Sequence, residues 1–262
     1  AMISRVLTDL YFYVFDRIIC YYLLKLVSNR FNIRFMNLGY VNHDDNALNE
    51  MISKEGNESE RAHVALYEKT LSLHPKYPSL DNYRLLEVGC GQGGGIEWIE
   101  RSHPEISSAI GMDRVAIKDS IVTGNAHNLP FESSSFDIVI NIESSHLYEN
   151  PQKFFKECAR VLSAGGHLCW ADLRFDGKER EVLEQASLAG FELISIEDIT
   201  ENVVHGMEKA AARYDQMLLT APWYIKLFGN SFRETYCAPG TPTYQRYVTR
   251  EKRYWAACWM KK

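Results

Sequence analysis

Short apolar runs separated by longer amphipathic segments fill the chain from residue 84 onward. The run at 136–142 is predominantly apolar, as expected for a strand buried on both faces at the centre of a parallel sheet. Strands that alternate with helices predict an α/β fold with a doubly wound, Rossmann-like, mostly parallel sheet of seven strands. The predicted strands cover 84–88, 108–112, 120–123, 136–142, 167–173, 191–196 and 254–260.

Three of the segments between the strands have clear helix signals. Helices are predicted over 61–73, 96–101 and 151–162. Asn57 precedes the first and can cap it, because its side-chain oxygen can accept a bond from a free backbone N–H. Gly165-Gly166 is predicted to stop the third, since glycine adopts the left-handed conformation that ends helices.

The N-terminal part has a different pattern. From Val6 to Leu26 it is rich in Tyr, Phe, Ile and Leu at helical spacing and carries a basic excess. This pattern fits a helix packed on the core or a helix that contacts an anionic membrane surface. Charged residues interrupt the apolar run, so we expect no spanning helix. We assign 1–56 to an N-terminal helical lid and 57–262 to a core, with a C-terminal helical cap insertion at about 198–249.

Composition narrows the class of protein. The chain has 262 residues, of which 46% are hydrophobic and 24% charged, and its net charge is -5. An acidic balance without a basic stripe argues against a nucleic-acid partner. The six cysteines are scattered with no C-x-x-C pair, which is typical of reduced thiols rather than a disulfide frame or a metal site. We therefore expect a cytoplasmic protein without a bound metal.

A glycine-rich loop follows the first predicted strand. Glycines at positions 89, 91, 93, 94 and 95 let the backbone turn tightly and approach a ligand, and the following helix start exposes free N–H groups. This pattern predicts a nucleoside cofactor. Gly89, Gly91 and Gly94 also fit the dinucleotide pattern G-x-G-x-x-G. Glu87 inside the strand, and the order of the later motifs, favour S-adenosylmethionine over a nicotinamide cofactor.

Polar residues follow the next strands, where an open parallel sheet binds its ligands. Asp113 ends the second strand and can accept both ribose hydroxyls. Asn125 and Ala126 follow the third strand and can recognise the adenine edge, although they also fit a turn before Pro130. The predicted cofactor site further includes Gln92 in the glycine loop and Asn141 at the end of the fourth strand.

Candidate catalytic residues lie just after the fourth strand. His146 can act as the base that deprotonates an alcohol, because the pKa of histidine lies near neutrality. Glu143 is predicted to orient His146 or to hold substrate. Alternatively His146 caps the loop. Asp172 and Arg174 end the fifth strand and are further candidates for the acceptor site. The remaining histidines, including His74 and His103, are interpreted as surface or turn residues.

The connection after Asp113 is unusually short. Eleven residues separate Asp113 from Asn125, whereas a crossover between parallel strands usually carries a whole helix. The crossover helix is therefore vestigial, or residues are missing from the sequence.

Taken together, the motifs resemble those of class I S-adenosylmethionine-dependent methyltransferases. Within these, the chain is similar to phthiotriol dimycocerosate and rifamycin-type O-methyltransferases and to sterol C-methyltransferases. The segments that carry the resemblance are 35–42, 60–67, 86–95, 124–131, 135–146 and 160–166. They are specific for the fold and cofactor but less so for the methyl acceptor.

The resemblance implies roles for individual residues. Gly89 and Gly91 would contact the amino-acid end of S-adenosylmethionine. Asn37 and Tyr40 match a segment that covers the cofactor, and an aromatic face beside a sulfonium is favourable because the ring attracts a cation. Asn125 stands where an aspartate is common, but an amide can still donate and accept.

The acceptor is expected to be a hydrophobic small molecule. The cap insertion is rich in aromatic residues and methionine, which suits a lipid, sterol or polyketide-like acceptor but also ordinary packing. We expect methyl transfer to a hydroxyl. The alternatives are sterol-type C-methylation, a cofactor-binding protein with little turnover, and a nicotinamide-dependent dehydrogenase. Peripheral membrane contact through the N-terminal helix remains open, and so does the oligomeric state.

Overall fold

The computed structural model describes residues 33–43, 46–116 and 118–262. The predicted helix in the first 32 residues lies outside this part. The helices are α1 (Asn46–Ser53), α2 (Arg61–Leu71), α3 (Gly94–Ser102), α4 (Pro151–Val161), α5 (Glu179–Leu188), α6 (Thr200–Thr220), α7 (Trp223–Lys226), α8 (Gly229–Thr235) and α9 (Pro242–Val248). The strands are β1 (Arg84–Val88), β2 (Ser108–Asp113), β3 (Ile121–Thr123), β4 (Phe136–Ile142), β5 (Leu162–Phe175), β6 (Phe191–Asp198) and β7 (Lys252–Lys261).

The seven strands form one sheet in the order β3-β2-β1-β4-β5-β7-β6. β7 runs antiparallel to β5 and β6, and the other pairs are parallel. The predicted Rossmann-like α/β fold is confirmed. Alternate residues of each central strand enter opposite cores: Leu85 packs with α2 residues such as Leu66 on one face, and Leu86 with Phe155 of α4 on the other.

Asn57 caps the short 3-10 turn before α2 by accepting a bond from Ser59 N, whereas α2 itself follows Glu60 and has no side-chain cap. The predicted stop of α4 at Gly165-Gly166 is wrong. The helix ends at Val161, and Leu162 already pairs with Phe136 in the sheet. Gly165 instead lies inside β5 with φ 74°, so strand pairing rather than glycine ends this helix.

The connection between β2 and β3 spans 114–120, and its described residues contain no helix. β3 nevertheless pairs in parallel with β2, with Asp113 opposite Thr123. The Gly124 N–H also donates to the Asp113 carbonyl at 2.9 Å. The short crossover therefore still presents the end of β2 at the edge of the sheet where the glycine loop lies.

Helices α6 to α9 lie between β6 and β7, within the predicted cap insertion. α6 packs closely on the segment that precedes α1. A Cβ at Gly206 would lie 2.4 Å from the Gly39 carbonyl carbon, so only glycine permits this approach. The contact places the cap beside residues 33–43, next to the carboxyl ends of β1 and β4.

Candidate functional site

The glycine loop turns directly from β1 into α3. Gly89, Gly91 and Gly93 have φ values of 78°, 54° and 79°, which residues with a Cβ rarely adopt. The Gly89 and Cys90 N–H groups donate to the Met112 carbonyl and fix the turn to β2. A Cβ at Gly89 would lie 2.0 Å from Ser144 Oγ, so the loop leaves no room for a side chain there.

Asp113 stands at the rim of this loop. Its Oδ2 accepts a bond from the Gly91 N–H at 2.8 Å, and its Oδ1 accepts one from Val115 N at 3.2 Å. Burial raises the pKa of Asp113, although the backbone donors oppose that rise. The sequence-predicted ribose ligand and the glycine loop are thus brought together.

Glu87 lies beneath the loop and is 1% exposed. The Tyr67 hydroxyl of α2 donates to Glu87 Oε1 at 2.6 Å, whereas Oε2 has no partner among the described residues. Burial raises the pKa of Glu87 to about 7, and Asp113 contributes to the rise. Tyr67 was not predicted as a site residue, because its contact with Glu87 depends on how α2 crosses the sheet.

The other predicted cofactor residues occupy different positions around the cleft. Asn141 is fully buried and donates to the Val88 carbonyl at 2.7 Å and to the Tyr148 hydroxyl at 3.1 Å. Its Oδ1 has no partner within the described part of the chain. Gln92 is 5% exposed in the glycine loop. Asn125 is exposed, and its Oδ1 accepts a bond from His127 N at 2.9 Å in a turn that also contains Ala126.

Residues 35–40 form a strap over this edge of the sheet, with the Met36 sulfur 3.6 Å from where a Cβ on Gly91 would lie. The Asn37 side chain does not face the glycine loop. Its Oδ1 accepts bonds from Gly39 N at 2.9 Å and from His63 Nδ1 at 3.2 Å. Tyr40 is 5% exposed and packs in the core beneath the cap.

His146 lies in a short 3-10 turn after β4, and its ring contacts Asp172 at the end of β5. The distance from Nδ1 to Asp172 Oδ1 is 2.7 Å, and Oδ2 accepts bonds from Ser145 Oγ at 2.6 Å and His146 N at 2.8 Å. Burial acts to raise the pKa of Asp172, but His146, Arg174 and these donors hold it well below its usual range. Asp172 is therefore an ionised carboxylate with no exposed surface.

Glu143 does not contact His146, so the prediction that it orients that ring is wrong. Glu143 Oε2 accepts bonds from Leu38 N and from the Tyr254 hydroxyl, both at 2.9 Å. The residue has φ 48° and is partly buried. Burial among protein atoms raises its pKa to about 8, and Asp172 contributes to the rise. Glu143 thus ties the strap to the sheet, while Asp172 orients His146.

An apolar cavity that is open to solvent lies between the strap and the cap. Among its lining residues, Met36 contacts the glycine loop and Leu38 contacts Glu143, so the cavity adjoins both. Cap residues that line it include Tyr214, Met217, Leu218, Ile225, Phe232 and Tyr236.

Comparisons with known proteins agree with this arrangement. A family described as "Methyltransferase domain" matches residues 86–170, which span the glycine loop, β4 and the His146 turn. Over 215 aligned residues the chain is 34% identical to a phthiotriol/phenolphthiotriol dimycocerosates methyltransferase of Mycobacterium leprae, and the alignment covers 76% of both chains. The chain belongs to the S-adenosylmethionine-dependent methyltransferases.

Further relatives of this methyltransferase agree with the assignment. A fatty-acid O-methyltransferase of Mycolicibacterium smegmatis is 34% identical over 192 residues, covering 68% of this chain and 66% of that protein. Among solved structures, the cyclase SpnF has a TM-score of 0.69 at 19% identity, covering 91% of this chain and 93% of that chain. Geranyl diphosphate C-methyltransferase from Streptomyces coelicolor, solved with S-adenosylhomocysteine, has a TM-score of 0.57 at 14% identity, covering 90% and 97%. The two structures show a shared fold.

The site of the methyltransferase fits its cofactor, S-adenosylmethionine. The glycines with positive φ form a tight turn at the end of β1, and the buried Glu87, whose Oε2 has no partner among the described residues, lies in the strand that leads into it. Asp113 supplies a carboxylate at the rim. Backbone N–H groups, carboxylates and an open apolar cavity together suit a ligand with a charged amino-acid end, a ribose and a reactive methyl group.

Two histidines interpreted from the sequence as surface or turn residues are buried in this methyltransferase. His103 is 1% exposed and its Nε2 lies 3.2 Å from Glu68, which is fully buried in α2. His74 is 2% exposed and its ring packs edge-on against His167. Both lie away from the cofactor loop, and their burial depends on long-range packing that their sequence neighbours do not reveal.

Proposed function

We propose that the methyltransferase transfers the methyl group of S-adenosylmethionine to a hydroxyl of a hydrophobic small molecule, with His146 as the base. The observation that carries this proposal is the 2.7 Å contact between His146 Nδ1 and the buried Asp172 carboxylate. A base oriented by an acid suits an oxygen acceptor, because the hydroxyl must lose its proton as the new bond forms.

The hydrogen bonds specify which nitrogen of His146 is basic. Ionised Asp172 can only accept, so Nδ1 carries a proton, and in the neutral ring Nε2 is then the nitrogen with the lone pair. Nε2 has no hydrogen-bond partner in 33–43, 46–116 or 118–262, and 23% of the side chain is exposed. Nε2 is thus available to accept the hydroxyl proton, and Asp172 stabilises the imidazolium that results.

The cofactor-binding residues of the proposal lie on the glycine loop, after the neighbouring strands and on the strap. Gly89, Gly91 and Gln92 would hold the amino-acid end, Asp113 the ribose, and Asn125 with Ala126 the adenine. Asn141 would support the loop through the Val88 carbonyl, and Asn37 with Tyr40 would support the strap above it. When bound, the cofactor supplies an electrophilic methyl on a sulfonium, and the oxygen that gains this methyl gives its proton to His146 Nε2.

The cavity between strap and cap is the proposed acceptor site. Its lining is almost entirely apolar, and it adjoins the glycine loop through Met36. Curated relatives are named for phthiotriol dimycocerosates and fatty acids, which supports a lipid-like acceptor. Burial of such a molecule provides affinity, while the position of His146 selects the hydroxyl.

Carbon methylation is a second candidate, favoured by Glu143. A carbocation formed beside the cleft would be stabilised by its carboxylate, which the Tyr254 hydroxyl holds in place. Burial, however, raises the pKa of Glu143 to about 8 and so keeps it largely protonated at neutral pH. A third candidate, a cofactor-binding protein with little turnover, rests only on the short connection between β2 and β3.

The test combines a donor with a labelled methyl, a total lipid extract and purified variants. His146→Ala should lower turnover about 10²–10⁴-fold, with the affinity for S-adenosylhomocysteine intact. Asp172→Asn should also lower turnover, because it removes the carboxylate that holds the proton on His146 Nδ1. His205→Ala is the control, since that ring contacts His43 at 3.0 Å on the surface. Near-normal turnover of His146→Ala would refute the proposal that His146 is the base.

A further inference from the structure

One stretch of the cap exposes far more apolar surface than its surroundings. Leu219, Trp223 and Leu227 have 67%, 73% and 72% of their surface exposed, and Tyr224 has 44%. In residues 216–230 the single charged side chain is Lys226, and there is no acid. Contiguous exposed apolar side chains of this size usually mark an interaction site.

The opposite face of the same stretch lines the acceptor cavity. Leu218, Ala221 and Ile225 border the cavity, whereas the exposed side chains are those of Leu219, Trp223, Tyr224 and Leu227. The end of α6 and the short helix α7 therefore form a thin wall with the cavity on one side and an apolar surface on the other. A molecule that reached this surface from outside would be one layer of side chains from the cavity.

The chemistry of the exposed face favours a lipid surface over a protein partner. Tryptophan and tyrosine are enriched where proteins meet the membrane interface, because their rings combine apolar bodies with polar atoms. Trp223 and Tyr224 lie adjacent here, with ring centroids 6.0 Å apart. Lys226 adds positive charge without a nearby acid in the stretch, which suits anionic headgroups.

We propose that residues 219–227 seat this enzyme on an anionic lipid surface, so that an apolar acceptor passes from the lipid into the cavity between strap and cap. None of the described helices has the length and hydropathy that a membrane span requires, so the contact is peripheral. The role of this contact in delivering the acceptor rests on the proposed function. The contact itself is measurable without methyl transfer, and its failure is therefore distinct from failure of the proposed function.

Trp223 provides a direct reporter for the test. Trp98, Trp170 and Trp259 are at most 1% exposed and Trp255 is partly buried, so Trp223 is the one largely exposed tryptophan of the five. On mixed phosphatidylcholine and phosphatidylglycerol vesicles, the full chain should cosediment. Its tryptophan emission should shift to the blue and become protected from iodide. Trp223→Phe should still cosediment but lose most of this spectral change.

Variants test whether these side chains carry the binding. The double variant Trp223→Ser/Leu227→Ser should weaken vesicle binding at least tenfold, because two large side chains no longer leave water. Lys226→Gln should weaken it about fivefold on anionic vesicles and little on phosphatidylcholine alone. Leu188→Ser is the matched control, since Leu188 is 68% exposed on α5, outside the cap. It should bind like the parent.

Several results would overturn the proposal. The proposal is wrong if the full chain does not cosediment with vesicles. It is also wrong if Leu188→Ser loses as much vesicle binding as the double variant. Iodide protection of Trp223 in lipid-free protein would mean that another segment of the chain already covers the surface. Concentration-dependent self-association without lipid that protects Trp223 would identify the surface as an interface between two copies.

Discussion

Replacing Glu143 with glutamine should change how the stability of the methyltransferase depends on pH. Burial raises the pKa of Glu143 to about 8 from the ordinary 4.5. Between these values the folded protein keeps a proton that the unfolded chain has released. The stabilising contribution is therefore complete below about pH 4.5 and is lost as pH rises through about 8.

The size of this effect follows from the shift. One pKa unit corresponds to about 1.4 kcal/mol. The rise from 4.5 to about 8 therefore corresponds to a loss of about 4–5 kcal/mol in the free energy of unfolding across this pH range. The residue is only partly buried, and screening by solvent reduces this free energy to about 2–4 kcal/mol. Glutamine has nearly the same shape and keeps an oxygen for Leu38 N and the Tyr254 hydroxyl, but it does not titrate.

Urea unfolding at pH 5, 6, 7 and 8 measures the difference. The free energy of unfolding of the parent should fall relative to that of Glu143→Gln as pH rises, and the gap should be largest at pH 8. Glu87 titrates in the same window with a pKa of about 7, but it is present in both proteins and cancels. Parallel pH curves for the two proteins would refute the assignment of a buried, protonated Glu143.

The protonation of Glu143 should also depend on the charge of the bound ligand. A cationic sulfonium near Glu143 favours its ionised form, so binding of S-adenosylmethionine at pH 7 should release a proton. S-adenosylhomocysteine lacks that charge and should release fewer. Calorimetry in buffers of different ionisation enthalpy measures the protons released. Equal release for both ligands, or unchanged release in Glu143→Gln, would contradict this prediction.

Two further substitutions test the loop and the cap. Asp113→Ala should weaken S-adenosylhomocysteine binding by about 1–3 kcal/mol in calorimetry, because hydrogen bonds to a charged acceptor are lost; an unchanged affinity would place the ribose elsewhere. Gly206→Ala should lower the melting temperature by destabilising the protein by about 1–3 kcal/mol, since the new Cβ would lie 2.4 Å from the Gly39 carbonyl carbon. Gly229→Ala is its control, with open space at the Cβ position, and an equal loss there would contradict the packing argument.

The contact between the glycine loop and Asp113 was predictable from the sequence because fold topology determines it. Ligands of a parallel sheet lie at the carboxyl ends of the strands, so residues after β1 and β2 had to meet. Gly91 and Asp113 are indeed joined by a 2.8 Å hydrogen bond. The glycine pattern also required a tight turn at that point, which the positive φ values show.

The pairing of His146 with Asp172 could not be predicted in the same way. It depends on the register between β4 and β5, in which Ile142 lies opposite Ala171, and on the turn that brings His146 back over β5. A one-residue shift of register would have placed Asp172 on the other face. Glu143 is nearer to His146 in sequence, but it has φ 48° and its carboxylate accepts bonds from Leu38 N and the Tyr254 hydroxyl.

The position of the transferred methyl group tests the central claim most directly. The purified methyltransferase is incubated with a donor that carries a deuterated methyl and with a lipid extract, and tandem mass spectrometry locates the label in each new product. The account predicts a label on oxygen, released as deuterated iodomethane when hydriodic acid cleaves the methyl ether, and its disappearance with His146→Ala. A label retained on the carbon skeleton, or no labelled product, would contradict it.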